Sequence, residues 1–252
     1  MYKISDYPQI QNNFFLSGRN VGASKKLVGN VNLLTVFLKR FSTDWSDSMK
    51  DRYYACVREA TELLMCEAKK YGVSLNIKCF HLETSVSPTS SPMDGFNLVK
   101  DYFREKTMEG IQKHYENRMG VDEIPIILAF NETGRSFTYK KNEKELYDTQ
   151  EISVVFFEKN ESSVLVKRTI AHELLHQFGA IDFYFPSEIK EIAKKYIGDS
   201  IMREGSAVTV DDLTAYLIGW KDTISANSYW FLKETMWMNA TRFQNAKRIE
   251  WN

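Results

Sequence analysis

The chain has 252 residues, of which 43% are hydrophobic and 26% are charged, a composition typical of a globular protein with a sizeable core. Its 33 basic and 33 acidic side chains give a formal net charge of zero. Proteins that bind nucleic acid or a membrane surface usually carry a basic excess, so the sequence predicts neither partner. It also contains no apolar run of the about 20 residues that a membrane span needs.

The three cysteines, Cys56, Cys66 and Cys79, are odd in number and have no CxxC spacing, which argues against a disulfide framework or a thiolate metal site. We expect them to be buried free thiols in a reducing compartment. The N-terminus shows no basic segment followed by an apolar run. A cytoplasmic location is therefore the default expectation, and secretion stays open if a leader has been removed from the chain.

The first half of the chain alternates strand-like and helix-like patterns. Its predicted elements are an irregular polar arm at 1–30, a strand at 31–41, a long helix within 42–72, a strand at 73–82, a loop at 85–95 and a helix at 96–119. The long helix has Ser and Asp near its start, and Gly72 stands where a left-handed residue would end it.

The second half begins with strands and ends with helices. Its predicted elements are a buried strand at 124–130, a turn at 131–135, a short strand at 136–140, a buried strand at 152–158, a helix ending at Gly179, a helix at 187–196, a helix opened by a capping box of Thr209 and Asp212, and a helical tail at 226–252. This order predicts an α+β fold with an α/β-like N-terminal part: a mixed sheet followed by a mainly helical C-terminal part.

One stretch, HELLHQFGAID at 172–182, indicates chemistry. Residues four apart share a face of a helix about 5.4 Å apart, so His172 and His176 can direct both imidazoles at one zinc ion. Glu173 lies beside the first histidine and can reach a zinc-bound water without binding the metal. Two histidines at this spacing can also be ordinary core and surface residues, but the intervening glutamate makes HExxH and favours a metal site.

A tetrahedral zinc site needs a third protein ligand besides water. His81 and His114 lie far upstream, which leaves Asp182 as the nearest candidate. Gly179 can leave the helix through a left-handed conformation without strain, and a sharp turn there would carry Asp182 back to the metal. A more distant glutamate remains an alternative third ligand. The candidates are Glu188, Glu191 and Glu204.

These residues carry a resemblance to a known family. The pattern HExxHxxGxxD resembles the zinc signature of the metzincin metalloproteases, with aspartate in the last position as in the snapalysin-type group. GDSIMREG at 198–205 resembles the methionine-containing turn of that family, with Met202 as its methionine. The resemblance implies one zinc ion per chain and a five-stranded twisted mixed sheet, in which 136–140 is the antiparallel edge strand that pairs with a peptide substrate.

The resemblance also implies that 31–252 form one catalytic domain, with an N-terminal subdomain at about 31–179 and a C-terminal subdomain at about 180–252. The chain departs from the family by its helix at 96–119 and by the aspartate ligand. No tyrosine closely follows Met202, so Tyr184 is the candidate for transition-state support. The arm contains no cysteine that could block the zinc.

The sequence therefore predicts a zinc-dependent peptidase, most simply an endopeptidase, that acts on peptides or proteins with Glu173 as the general base. The alternative is a catalytically silent protein that keeps the metzincin-like fold and serves in binding.

Overall fold

The computed structural model describes residues 1–22, 24–39, 44–85, 120–139, 152–158, 160–239 and 241–242. The strands are β1 (Gly29–Lys39), β2 (Leu75–Ser85), β3 (Ile126–Phe130), β4 (Phe137–Tyr139) and β5 (Ile152–Phe156). The helices are α1 (Pro8–Gln11), α2 (Asp47–Lys70), α3 (Ser163–Gln177), α4 (Ser187–Tyr196), α5 (Asp212–Leu217) and α6 (Ala226–Glu234). The helix predicted at 96–119 and most of the loop predicted at 85–95 lie outside the described residues.

The strands form one five-stranded sheet in the order β2-β1-β3-β5-β4. β1 pairs in parallel with β2 and β3, and β3 pairs in parallel with β5. β4 is antiparallel to β5, with Phe137 opposite Val154 and Tyr139 opposite Ile152. The predicted fold class is confirmed, including the antiparallel edge strand and the mainly helical part that follows the sheet.

The two faces of the sheet contribute to two hydrophobic clusters, because side chains alternate along a strand. Val31, Leu33 and Phe37 of β1 belong to the main core, which they share with α2, α3 and the C-terminal helices. Val36 and Leu38 belong to a smaller cluster on the other face with residues of β3 and β5. The near-continuous apolar runs of β3 and β5 are explained by this burial on both faces.

Helix α2 begins and ends as its sequence predicts. Ser46 precedes it, and the Ser46 hydroxyl accepts a hydrogen bond from the backbone N–H of Met49. Gly72 follows its end with a φ of +71°. α2 packs along α3, so it supports the helix that carries the HExxH motif. None of the described helices is long and apolar enough to cross a bilayer.

The N-terminal residues pack onto the helical C-terminal part. Tyr2 and Ile224 exchange two backbone hydrogen bonds of 2.8 and 2.9 Å. The indole N–H of Trp220 donates to the carbonyl of Leu27, and the ring of Phe15 is fully buried. Within the predicted irregular arm the chain forms α1 and two short 3-10 turns, which are Ile4–Asp6 and Phe14–Leu16. The division into an arm and one catalytic domain stays a prediction.

Two sequence-based expectations were wrong in detail. The cap of α5 is Asp211, whose carboxylate accepts from the N–H groups of Leu213 and Thr214, and Thr209 instead donates to the carbonyl of Asp199. The predicted capping box is absent because the helix begins after Asp211, which caps it with its own carboxylate. The three cysteines are free, but only Cys56 is buried. Cys79 is half-buried, and Cys66 is exposed on the outer face of α2.

Candidate metal centre

Helix α3 presents both motif histidines at one point. Its apolar residues Val166, Ile170 and Leu174 are buried in the main core, which fixes the rotation of the helix. His172 and His176 then approach each other with 3.1 Å between their Nε2 atoms. Their rings are nearly perpendicular, at 89°. The convergence expected from the spacing of four residues is therefore present in the structure.

The turn after α3 reverses the chain at once. Gly179 has a φ of +109°, a conformation that glycine adopts without a β-carbon clash. Its N–H donates to the carbonyl of His176, and the N–H of Ala180 donates to the carbonyl of Leu175, both at 3.1 Å. These two bonds form a Schellman motif. The predicted left-handed helix end is thus observed, and it sends Asp182 back toward the helix.

Asp182 completes a triangle of ligand atoms with the two histidines. Its Oδ1 atom lies 3.2 Å from His172 Nε2 and 3.1 Å from His176 Nε2. A tetrahedral zinc ion with ligands at about 2.0–2.1 Å keeps its ligand atoms about 3.3 Å apart. Among the described residues, these three form the group of side chains close enough to hold a metal ion. Their spacing fits zinc.

In each histidine the ring nitrogen that points away from the triangle, Nδ1, is hydrogen-bonded to a backbone carbonyl. This leaves Nε2 as the nitrogen that can bind a cation. His172 Nδ1 lies 3.0 Å from the carbonyl oxygen of Ile201, and His176 Nδ1 lies 2.8 Å from that of Ala180. A carbonyl oxygen only accepts, so each Nδ1 carries a proton, and the other ring nitrogen, Nε2, faces the triangle and can offer its lone pair to a cation. Facing lone pairs repel one another unless a positive charge lies between them. This arrangement of outer hydrogen bonds is usual for histidines that bind zinc.

The charges of the triangle favour a cation at its centre. Burial lowers the pKa of His176, but the adjacent Asp182 carboxylate, the charge of Glu173 and the Ala180 carbonyl together outweigh burial, and the pKa is raised. Burial likewise raises the pKa of Asp182, but the imidazoles of His176 and His172 hold it well below its ordinary value. Asp182 therefore stays ionised, and its negative charge stabilises a proton or metal ion between the rings.

Glu173 lies beside this triangle with its carboxylate held in place. The residue is only 5% exposed. The hydroxyl of Thr138, from the edge strand β4, lies 2.7 Å from Glu173 Oε2. Sequence reasoning missed Thr138, because a threonine in a short strand carries no signal of its own. Its contact with Glu173 exists only because β4 packs against α3 in the folded protein.

The turn that contains Met202 supports the triangle through its backbone. The Ile201 carbonyl accepts from His172 Nδ1, and the Met202 carbonyl accepts from the N–H of Phe183, the residue after Asp182. The Met202 side chain is fully buried. The turn thus contacts the first histidine and the neighbour of the aspartate.

Arg168 ties the same turn to α3, one helical turn before His172. Its guanidinium donates to the carbonyls of Ile201, Arg203 and Ala207 at 2.9, 2.6 and 3.0 Å. Sequence reasoning missed this residue as well. A basic residue on the same helix face as the motif was the available signal, but a solvated arginine produces the same pattern.

The structure places Tyr184 beside the triangle. Its ring centroid lies 6.3 Å from that of His172. Burial raises the pKa of Tyr184, and the charge of Asp182 adds to this effect, while a hydrogen bond with Arg135 opposes it. The phenol therefore keeps its proton at neutral pH and can act as a hydrogen-bond donor in the site.

The alternative glutamate ligands lie on the surface. Glu188, Glu191 and Glu204 are all exposed. Glu191 forms an ion pair with Lys194 at 2.6 Å, and Glu204 pairs with Lys190. None of the three belongs to the group of possible metal ligands among the described residues. The geometry thus favours Asp182.

Of the two remaining histidines, His81 does not join the site. His81 is exposed on β2, where its ring packs against those of Phe37 and Tyr54 at centroid distances of 5.9 and 4.9 Å. His114 lies outside the described residues.

No family model matches this sequence, and no curated protein matches it. Its fold is similar to the crystal structure of metalloproteinase-II from Bacteroides fragilis, at 11% identity and a TM-score of 0.40, covering 90% of this chain and 60% of that one. It is also similar to the structure of myroilysin, at 13% identity and a TM-score of 0.31, covering 82% of this chain and 93% of that one. This chain spans 60% of the length of the Bacteroides protein that it matches, and similarities of this size assign no residue role.

Proposed function

We propose that this protein is a zinc-dependent peptidase in which His172, His176 and Asp182 hold the metal and Glu173 is the general base. The observation that carries the proposal is the triangle of two Nε2 atoms and Oδ1, with both outer ring nitrogens bonded to carbonyls. A buried carboxylate one residue from the first ligand is the additional group that hydrolysis requires.

Zinc held there supplies a Lewis acid that acidifies water and polarises a scissile carbonyl. Glu173 Oε2 is engaged by Thr138, so Oε1 is the oxygen that accepts a proton from the attacking water and passes it to the leaving amine. The Tyr184 hydroxyl donates to the negative charge that develops on the carbonyl oxygen. A peptide extended along β4, the last strand in the sheet order, would present its carbonyls to this group.

The test is cleavage of a mixed peptide library by the zinc-loaded protein, with products identified by mass spectrometry. We expect discrete products that disappear with a chelator and return with zinc. The Glu173→Gln variant keeps the shape of the side chain but removes the base. We expect it to retain zinc and to lose about 10²–10⁴-fold in cleavage rate.

Two results would count against the proposal. If Glu173→Gln cleaves peptides at the rate of the parent protein, Glu173 is not the general base. A zinc-loaded parent protein that cleaves no peptide in the library would favour the alternative, a metzincin-like protein that serves in binding without turnover.

A further inference from the structure

We propose that Thr138 is a positioning residue for Glu173, which it orients through a hydroxyl-to-carboxylate hydrogen bond. The inference rests on the proposed function, in which Glu173 is the general base. It adds a specific residue of the edge strand β4 to that function. It also implies that the strand along which a peptide would lie holds the base in its working orientation.

The first support is the geometry around the Thr138 hydroxyl. Its oxygen lies 2.7 Å from Glu173 Oε2, 2.9 Å from the Glu173 carbonyl oxygen and 2.9 Å from Ser153 Oγ. A hydroxyl has one proton to donate. An ionised carboxylate only accepts, so a contact of 2.7 Å with Oε2 requires that proton to lie between the two oxygens.

The second support is that the neighbouring groups leave this proton to the carboxylate. Ser153 Oγ lies 3.0 Å from the Glu173 carbonyl oxygen, so the Ser153 hydroxyl can satisfy that carbonyl. Ser153 Oγ in turn accepts from Gln177 Nε2 at 2.7 Å. With Thr138 donating to Oε2 and Ser153 donating to the carbonyl, every proton in the group has an acceptor.

The third support is that the group is anchored in the sheet. Thr138 stands directly opposite Ser153 in the β4–β5 register, and both Ser153 and Gln177 are fully buried. Gln177 Oε1 accepts from the N–H of Ile126 at 3.2 Å, and Gln177 Nε2 donates to the carbonyl of Ile126 at 2.9 Å. These two bonds determine the orientation of the amide, so the atom that faces Ser153 is the nitrogen. Thr138 is therefore held by β5, β3 and α3 together.

The consequence is a carboxylate with one oxygen fixed and the other available. Rotation of Glu173 away from its reactive position requires the loss of a hydrogen bond to a charged group, of the kind that changes an equilibrium by about 10-fold to 100-fold. Without Thr138, the carboxylate samples other orientations and less of the protein is competent for proton transfer. The metal ligands are untouched by this change.

The test compares two substitutions at one position. Thr138→Val keeps the β-branched shape that suits a strand and removes the hydroxyl, whereas Thr138→Ser keeps the hydroxyl. We expect Thr138→Val to retain zinc and to lose about 10-fold to 100-fold in kcat with KM within about 2-fold. Thr138→Ser should restore kcat to within about 3-fold of the parent protein. Thr223→Val is the matched control, because Thr223 is also half-buried and its hydroxyl donates to the Met1 sulfur.

A second readout does not depend on turnover. Acetohydroxamate chelates zinc, and its hydroxyl can donate a hydrogen bond to a neighbouring carboxylate. Its affinity for the zinc-loaded protein therefore depends on whether the Glu173 carboxylate is oriented toward the metal. We expect Thr138→Val to weaken acetohydroxamate binding by about 10-fold and Thr138→Ser to restore it. If the parent protein binds zinc and acetohydroxamate but cleaves no peptide, the proposed function is wrong, and this affinity comparison still judges the role of Thr138.

Several outcomes would overturn the inference. Thr138→Val could keep kcat and acetohydroxamate affinity within about 2-fold of the parent, which would show that the hydroxyl does not orient Glu173. Thr138→Ser could be as impaired as Thr138→Val, which would make the effect one of packing. Loss of zinc from Thr138→Val would show that Thr138 supports the scaffold of the metal site instead.

Discussion

Gly18 of the N-terminal arm lies directly against Gly179 of the turn that follows α3. A β-carbon on Gly18 would stand 2.9 Å from the Gly179 carbonyl oxygen and 3.2 Å from its Cα. Nearby, the ring of Phe15 packs against that of Phe183, with centroids 6.2 Å apart. Because Phe183 follows Asp182, the arm supports the segment that carries the aspartate.

We expect Gly18→Ala to lower the stability of the protein and to weaken zinc binding. The new methyl group would meet backbone atoms, which move less readily than a side chain, and overpacking of this kind costs about 1–3 kcal/mol. Denaturant unfolding and a zinc competition titration would measure the two effects. Ser5→Ala, an exposed change in the same arm, is the control, and equal results for both variants would contradict the prediction.

We expect Gly179→Ala to destabilise the protein and, in addition, to weaken its affinity for zinc. The loss of affinity should exceed that of a variant that is destabilised to the same extent elsewhere. A non-glycine residue at positive φ costs about 1–3 kcal/mol, and relief of this strain would move Asp182. Gly72→Ala is the matched control, because Gly72 also has positive φ, at +71°, but ends α2 and has open space around it. The prediction is wrong if Gly72→Ala and Gly179→Ala affect zinc affinity equally.

The metal-free protein should owe a pH-dependent part of its stability to the His176–Asp182 pair. The lowered pKa of Asp182 contributes stability that is lost as the pH falls below its unfolded value of about 4. The raised pKa of His176 contributes stability that is complete below its unfolded value of about 6.5 and is lost as the pH rises through the folded value.

The stability difference between the metal-free parent and Asp182→Ala should therefore be largest between about pH 4 and pH 6.5 and should shrink on both sides. Urea unfolding across this range, with chelator present, would measure it. A difference that grows steadily toward pH 9 would contradict the assignment of charges.

Met202 should matter through packing. It is fully buried, so Met202→Ala removes a large apolar side chain and should cost about 2–5 kcal/mol. Met202→Leu, which keeps the volume, should cost less than about 1.5 kcal/mol. Both variants should retain zinc when folded, because the turn contacts the ligand segment through backbone carbonyls. Loss of zinc from folded Met202→Leu would assign the methionine a more direct role.

Much of the fold could be predicted from the sequence because its signals are local. Buried strands such as Ile126–Phe130 are continuous apolar runs, and α4 begins and ends where its pattern predicts. The position of Asp182 was also predictable, since Gly179 marks a helix end in the chain itself. These inferences use neighbours within a few residues.

The remaining features depend on contacts between distant parts of the chain. Thr138 and Glu173 are 35 residues apart in the sequence, and so are Arg168 and Arg203. No local sequence pattern predicts either contact. The same holds for Asn13, whose side chain donates to the carbonyl of Leu232. A polar side chain in a sequence shows that a partner is needed once it is buried, but only the fold shows which one.

The central claim is tested most directly by elemental metal analysis of the purified protein beside its Asp182→Ala variant. Glu204→Ala serves as the control, since Glu204 pairs with Lys190 on the surface. We predict one zinc ion per chain in the parent protein and in Glu204→Ala, and loss of most of it in Asp182→Ala. Zinc retained in full without Asp182, or lost from Glu204→Ala, would contradict the three-ligand site.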